Sequence, residues 1–264
     1  RKESSAASDV YKRQVMSDEQ RAELRKNLNG GRAARDIPFS RPGNLTRIIA
    51  VSSGKGGVGK SSVTVNLAMA LAQRGRSVGI LDADIYGHSV PVMLGVADAR
   101  PTSIGDDEES MILPVPTLGL KVMSIGMLKP QRDQVVAWRG PILDRAIQQM
   151  LADVHWGDLD YLVLDLPPGT GDVAISIGQK LPNAEVVVVT TPQAAAAEVA
   201  ERAGTMASMM KQKVIGVVEN MAWLETPDGE RMEIFGSGGG QHTADALTRR
   251  LGYDVPLMLS LIHI

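Results

Sequence analysis

Residues 54–62 read Gly54-Lys55-Gly56-Gly57-Val58-Gly59-Lys60-Ser61-Ser62, and no other stretch constrains the chain as strongly. They fill every fixed position of the phosphate-loop pattern G-x-x-x-x-G-K-[ST]. The flanks agree. Upstream, Arg47–Ser52 is β-branched and apolar, as a buried parallel strand is. Downstream, Ser61–Arg74 predicts a helix stopped at Gly75. A strand, a glycine loop and a helix in that order aim backbone N–H groups and a helix N-terminus at a phosphate. The glycines permit close backbone approach and positive φ. Lys60 can reach the β- and γ-phosphates as a point charge, and Ser61 can place its hydroxyl on Mg²⁺.

Strand-terminal acids are the second signal. Val78–Asp82 predicts a strand that ends in Asp82-Ala83-Asp84, and Tyr161–Asp165 another that ends in Asp165. Carboxylates at the C-terminal ends of parallel strands face the ligand crevice. After a phosphate loop, Asp165 is placed to hold Mg²⁺ directly or through water. Pro168 and Gly169, in the turn that follows, are placed to sense a γ-phosphate. Lys55 stands apart, because an ordinary phosphate loop needs no cation there.

Composition excludes several classes. The 264 residues suit one sizeable α/β domain or two small ones, and a net charge of −2 gives no electrostatic case for nucleic acid. No apolar run reaches the roughly 18 residues of a membrane span, and the start lacks the apolar core of a secretory signal, so a cytoplasmic chain is expected. The absence of cysteine excludes disulfides, a thiol nucleophile and thiolate-held zinc or iron–sulfur sites within this chain.

The ends look foreign. Residues 1–14 and 259–264 resemble translated sequencing-adapter read-through and are set aside from the fold. Residues 15–30 predict the last helix of an upstream small domain, with Ser17 as its cap and Gly30-Gly31 as its stop. Residues 31–45 are expected to be a linker, and 46–258 a nucleotide-binding domain truncated at its C-terminus. Further strands are expected over Leu120–Ile125, Glu185–Thr190 and Val214–Val218, with a short one over Met232–Phe235. Helices are expected over Ile142–Val154, Pro192–Lys211 and Gln241–Leu251. The stretch from Gly95 to Thr117 reads as loop. Strands alternating with helices predict a mostly parallel twisted sheet covered on both faces, an α/β fold of the P-loop NTPase kind.

With Lys55, the loop resembles the deviant Walker A, K-G-G-x-G-K-[ST], of the MinD/ParA/nitrogenase-iron-protein class, in which the extra lysine crosses a dimer interface to the partner's nucleotide. From about Thr46 to Pro256 the chain resembles the Mrp family of iron–sulfur cluster carrier ATPases. The resemblance rests on Ser53–Ser62, Leu81-Asp82-Ala83-Asp84-Ile85-Tyr86-Gly87-His88-Ser89, Trp138-Arg139-Gly140-Pro141, Asp165–Asp172, Val218–Met221 and Phe235–Gly240. It implies an ATP-dependent homodimer that delivers clusters to an apoprotein or scaffold partner. Gly54–Ser62 would bind the phosphates and Lys55 would act across the interface. Asp84 would orient the attacking water. Ser61, Asp82, Asp84 and Asp165 would surround Mg²⁺, directly or through water, and Asn220 would contact adenine.

One segment departs from the family. Many members carry a C-P-x-C pair just after the segment matching Asn220-Met221-Ala222-Trp223. This chain has Leu224-Glu225-Thr226-Pro227-Asp228-Gly229-Glu230, and Asp228-Gly229 reads as a simple hairpin turn. No iron–sulfur ligand is therefore expected in this chain, since carboxylates are poor substitutes for thiolates. The alternative is a MinD/ParA-like ATP-driven positioning or recruitment switch that binds no cluster. A metabolic kinase of the phosphate-loop class is a third option, and such an enzyme would have no need of Lys55.

Overall fold

The structure, a computed structural model, describes residues 35–85, 87–105, 110–128 and 140–262. Expectations for residues 1–30, and those resting on Trp138 and Arg139, fall outside the described residues. Residues 37–264 form one compact unit. In chain order, strand β1 (Arg47–Ser53) leads into helix α1 (Lys60–Gln73), then come β2 (Val78–Asp82), the short α2 (Val90–Met93), β3 (Thr102–Ile104), β4 (Met111–Leu113), β5 (Val115–Thr117) and β6 (Leu120–Ser124). Next are α3 (Gly140–Ala152), β7 (Tyr161–Asp165), α4 (Asp172–Lys180), β8 (Glu185–Thr190), α5 (Ala194–Met209) and β9 (Lys213–Glu219). The chain continues through β10 (Leu224–Glu225), β11 (Arg231–Met232), α6 (Gly239–Leu251) and β12 (Leu257–Ser260).

Eight strands form one sheet in the order β12-β9-β8-β1-β7-β2-β6-β5. Every neighbouring pair is parallel except β5 with β6. The central strands are buried along nearly their whole length, which is why they read as unbroken runs of Val, Ile and Leu. Alternation along β1 sends Ile48 and Ala50 to a core shared with Ile147 of α3, Ile177 of α4, Ala200 of α5 and Leu247 of α6. Ile49 and Val51 point the other way, to Val65 and Ala68 of α1 and Val90 of α2. Helices thus cover both faces, as the alternating pattern predicts. The strand register brings Asp82 and Asp165 side by side at the same end of the sheet, next to Val51. That shared end is where the phosphate loop leaves β1.

The structure differs from the sequence reading in several places. The stretch set down as linker contributes to the core: Ile37 and Phe39 are buried, and Phe39 meets Trp156 edge to face at 6.5 Å. A 3₁₀ turn at Pro38–Ser40 delivers them, started by the proline. Residues 259 and 260, set aside from the fold, lie in β12, which pairs in parallel with β9. Leu261 N–H donates to Glu219 O, and Ala222 N–H to Leu261 O. The open edge of β9 offers backbone groups that need partners, and an apolar extended run supplies them. Helix α4 and the β3–β4 hairpin were not foreseen, and the strand expected over Met232–Phe235 is instead β11 at Arg231–Met232, followed by a turn at 234–235.

Candidate functional site

The loop between β1 and α1 is shaped by its glycines. Gly57 and Gly59 have φ of +80° and +82°, the left-handed region that favours glycine. A Cβ on Gly54 would collide with the backbone of Val199 and Ala200 in α5, so the loop and that helix meet backbone to backbone. Ser53 Oγ donates to Lys55 O at 3.0 Å, and Gly169 N–H donates to Ser53 O at 2.8 Å. The second of these ties the turn after β7 to the start of the loop.

Asp165 is fully buried at the end of β7 and is the hub of the site. Lys60 Nζ donates to Asp165 Oδ1 at 2.5 Å, Thr64 Oγ1 donates to the same oxygen at 2.8 Å, and Ser61 Oγ donates to Oδ2 at 2.6 Å. Lys60 Nζ also stands 4.0 Å from Asp84 Oδ2. A buried lysine and a buried carboxylate at this distance compensate each other's desolvation. Asp82 is held by the backbone N–H of Asp84 on Oδ1 and by Ser124 Oγ on Oδ2, each at 3.1 Å. Burial, and then the neighbouring Asp165 charge, push its carboxyl up to about 7, against the lowering pull of the two hydrogen bonds and of Lys60.

Of these groups Lys60, Ser61 and Asp84 border a cavity of about 630 Å³. Lys55, Gly56, Gly57, Gly59, Lys60, Ser61, Ser62 and Asp84 line it on one side, and Pro168, Gly171 and Asp172 on another. The structure therefore brings together the loop, Asp84 and the turn after β7 around one space, with Asp82 and Asp165 buried beneath it. Asn220 takes a different position. Its Nδ2 donates to Val58 O at 2.9 Å and packs on Gly59, so its side chain braces the loop from the β9 side. Lys55 Nζ donates to Gln193 Oε1 at 2.9 Å, at the start of α5.

Sequence reading missed Thr64, Ser124 and Gln193. Thr64 was within reach of it, because a residue four past Lys60 in a helix lies on the same face. Ser124 ends the strand beside β2, and Gln193 lies 138 residues from Lys55, so both depend on tertiary pairing. The segment 224–232 is a hairpin, as Asp228-Gly229 predicts. β10 and β11 pair antiparallel, Gly229 has φ of +80°, and the Arg231 guanidinium lies 4.5 Å from the centroid of the Trp223 ring. Among the described residues no group of three or more His, Cys, Asp or Glu side chains is arranged to hold a metal by itself, and no helix is long and apolar enough to cross a membrane.

Residues 44–263 match the ParA family described as NUBPL iron-transfer P-loop NTPase. An iron–sulfur cluster carrier protein of Mycobacterium bovis is 61% identical over 244 residues, covering 92% of this chain and 62% of the relative. The chain thus spans less than two thirds of that relative's length. A solved nucleotide-binding protein of Archaeoglobus fulgidus, in complex with ADP, is 41% identical, with a TM-score of 0.67 over 84% of this chain and 83% of the other. The septum site-determining protein MinD of Pyrococcus horikoshii, complexed with Mg-ADP, shares the fold at 23% identity and a TM-score of 0.53, covering 81% of this chain and 79% of its own. Matched by this family over residues 44–263, the chain belongs to the ParA family described as NUBPL iron-transfer P-loop NTPase.

Proposed function

We propose that this chain binds ATP with Mg²⁺, hydrolyses it, and so drives a homodimeric switch that serves iron–sulfur cluster carriage. The observation that carries the reading is the bonding of Lys60, Ser61 and Thr64 to one buried carboxylate, Asp165, beneath a cavity bordered by the phosphate loop. Phosphoryl transfer asks mainly for positioning and charge neutralisation, and this arrangement supplies both.

The donor set suits Mg²⁺. Asp82 and Asp165 are hard oxygen donors held side by side at the ends of neighbouring strands. A hard cation that takes one or two carboxylates and completes its shell with water and phosphate needs no cage of three protein ligands. Ser61 and Asp165 would hold it, with Asp82 and Asp84 reached directly or through water. Bound there, Mg²⁺ would neutralise charge on the β- and γ-phosphate oxygens. Gly54–Ser62 cradle the phosphates with backbone N–H groups. Lys60 turns from Asp165 to the phosphate oxygens. Asp84, which lines the cavity and accepts a hydrogen bond from Gly87 N–H at 3.0 Å, orients the attacking water. Pro168 and Gly169 follow the γ-phosphate through the Gly169–Ser53 bond. Lys55 serves the second copy's nucleotide, and Asn220 contacts adenine from its place beside the loop.

The cluster is cargo, and the thiolates that hold it lie outside this chain, which has no cysteine. The same absence favours, as a second reading, a nucleotide-driven recruitment switch without a cluster. The ATPase core is common to both. Its test compares the wild type with Lys60→Ala and Asp84→Ala. Lys60→Ala should weaken ATP binding at least a hundredfold. Asp84→Ala should abolish phosphate release while light scattering still detects ATP-induced dimers. Unchanged binding in the first variant, or normal turnover in the second, would remove the reading.

A further inference from the structure

Ser124, the last residue of β6, is fully buried and stands opposite Asp82 in the parallel pairing of β2 with β6. We propose that Ser124 is a positioning residue for ATP hydrolysis that acts through the Asp82 carboxylate on Asp84, a role that rests on the proposed function, in which Asp84 orients the attacking water.

Three observations point there. The Ser124 hydroxyl has its direction set by a neighbour, because Gly126 N–H donates to Ser124 Oγ at 3.2 Å. An amide N–H can only donate, so Oγ accepts there and turns its one proton to Asp82 Oδ2, 3.1 Å away. The other oxygen of the same carboxylate serves Asp84. Asp82 Oδ1 accepts the backbone N–H of Asp84 at 3.1 Å. A carboxylate is planar and rigid, so the hydroxyl that holds Oδ2 also keeps Oδ1 on the Asp84 amide. The loop then closes on itself. Asp84 Oδ1 accepts Gly87 N–H at 3.0 Å, and the ring of the next residue, His88, fills the space where a Cβ on Gly126 would stand. The turn that aims Ser124 is thus packed by the loop that Asp84 begins.

Burial separates this role from contact with the nucleotide. Asp84 borders the cavity at the phosphate loop, whereas Asp82 and Ser124 do not, and both of these are fully buried. Ser124 therefore acts only by orienting what it holds. Partners of this kind, one bond removed from the reacting groups, typically cost about ten- to a hundredfold in activity when removed.

The test compares the whole wild-type chain with Ser124→Ala and Ser124→Thr in two readouts. In hydrolysis with Mg²⁺, Ser124→Ala should lower kcat about tenfold or more and leave the Kd for ATP unchanged, while Ser124→Thr, which keeps the hydroxyl, restores kcat. In amide hydrogen exchange of the nucleotide-free chain, Asp84 N–H should exchange about tenfold faster in Ser124→Ala, with the amides of β1 and β7 at wild-type rates. Wild-type kcat and wild-type Asp84 exchange in Ser124→Ala would overturn the role. So would faster exchange spread evenly over β1 and β7, or an ATP affinity that falls as far as kcat, since either marks a merely structural residue. If Ser124→Ala does not fold, Ser124→Cys, which keeps the shape and offers only a weak S–H donor, takes its place. A wild-type chain that hydrolyses no ATP would count against the proposed function, and the Asp84 exchange rates would still show whether Ser124 positions Asp84.

Discussion

Asp82 is the residue whose protonation the fold alters most visibly. Its carboxyl rises from 3.8 to about 7 because it is buried beside Asp165. The folded chain therefore holds a proton that the unfolded chain releases between those values, and stability from this group is complete below about pH 4 and lost as pH rises to 7. Asp82→Asn keeps an acceptor for Asp84 N–H and removes the ionisation. Measured without nucleotide and with a chelator, its urea midpoint should match the wild type near pH 3.5 and exceed it at pH 8. Equal midpoints at both pH values would show that Asp82 ionises in the fold at no cost. The acids themselves were legible in the sequence, because strand-terminal aspartates after a phosphate loop have few other uses. Their protonation was not, because it depends on which strands are neighbours.

At the scale of elements, the phosphate loop is fitted to helix α5. Gly54 has the Val199 backbone where a Cβ would stand, whereas a Cβ on Gly56 would meet only the Pro168 ring at an ordinary distance of 3.9 Å. Gly54→Ala should therefore cost roughly 1–3 kcal/mol, the usual range for overpacking, while Gly56→Ala changes stability little. Urea unfolding of the two variants checks this, and matching midpoints would argue against the close approach. The long strands were legible to within a residue or two, since burial on both faces leaves an uninterrupted apolar run. Helix α4 was not. Its nine residues include two isoleucines, a valine and a glycine, which carry little helical signal, and its place is fixed by packing Val173 and Ile177 into the core. The inward turn of Phe39 and the pairing of β12 with β9 are likewise contacts between distant parts of the chain.

Across the whole molecule, the family match spans residues 44–263, while the hairpin at 224–232, like the rest of the chain, has no cysteine. Anaerobic reconstitution of this chain with iron and sulfide should therefore leave no stoichiometric cluster and no visible absorption band, with ATP hydrolysis intact. A stable chromophore would overturn the placement of the cluster ligands outside this chain. The fold class was readable because alternating strands and helices admit few parallel arrangements. The family was legible from its ordered motifs, whereas the missing thiol removes one chemistry without naming its replacement.

The bond between Lys60 and Asp165 has a thermodynamic consequence. Each group is the other's counter-charge, so a phosphate that draws Lys60 away leaves Asp165 in need of a cation, and a cation on Asp165 releases Lys60 to a phosphate. The two ligands are therefore coupled through one ion pair, and linkage requires that each strengthen the other by the same factor. On the proposed function, nucleotide and divalent ion would therefore enter this site as a cooperative pair.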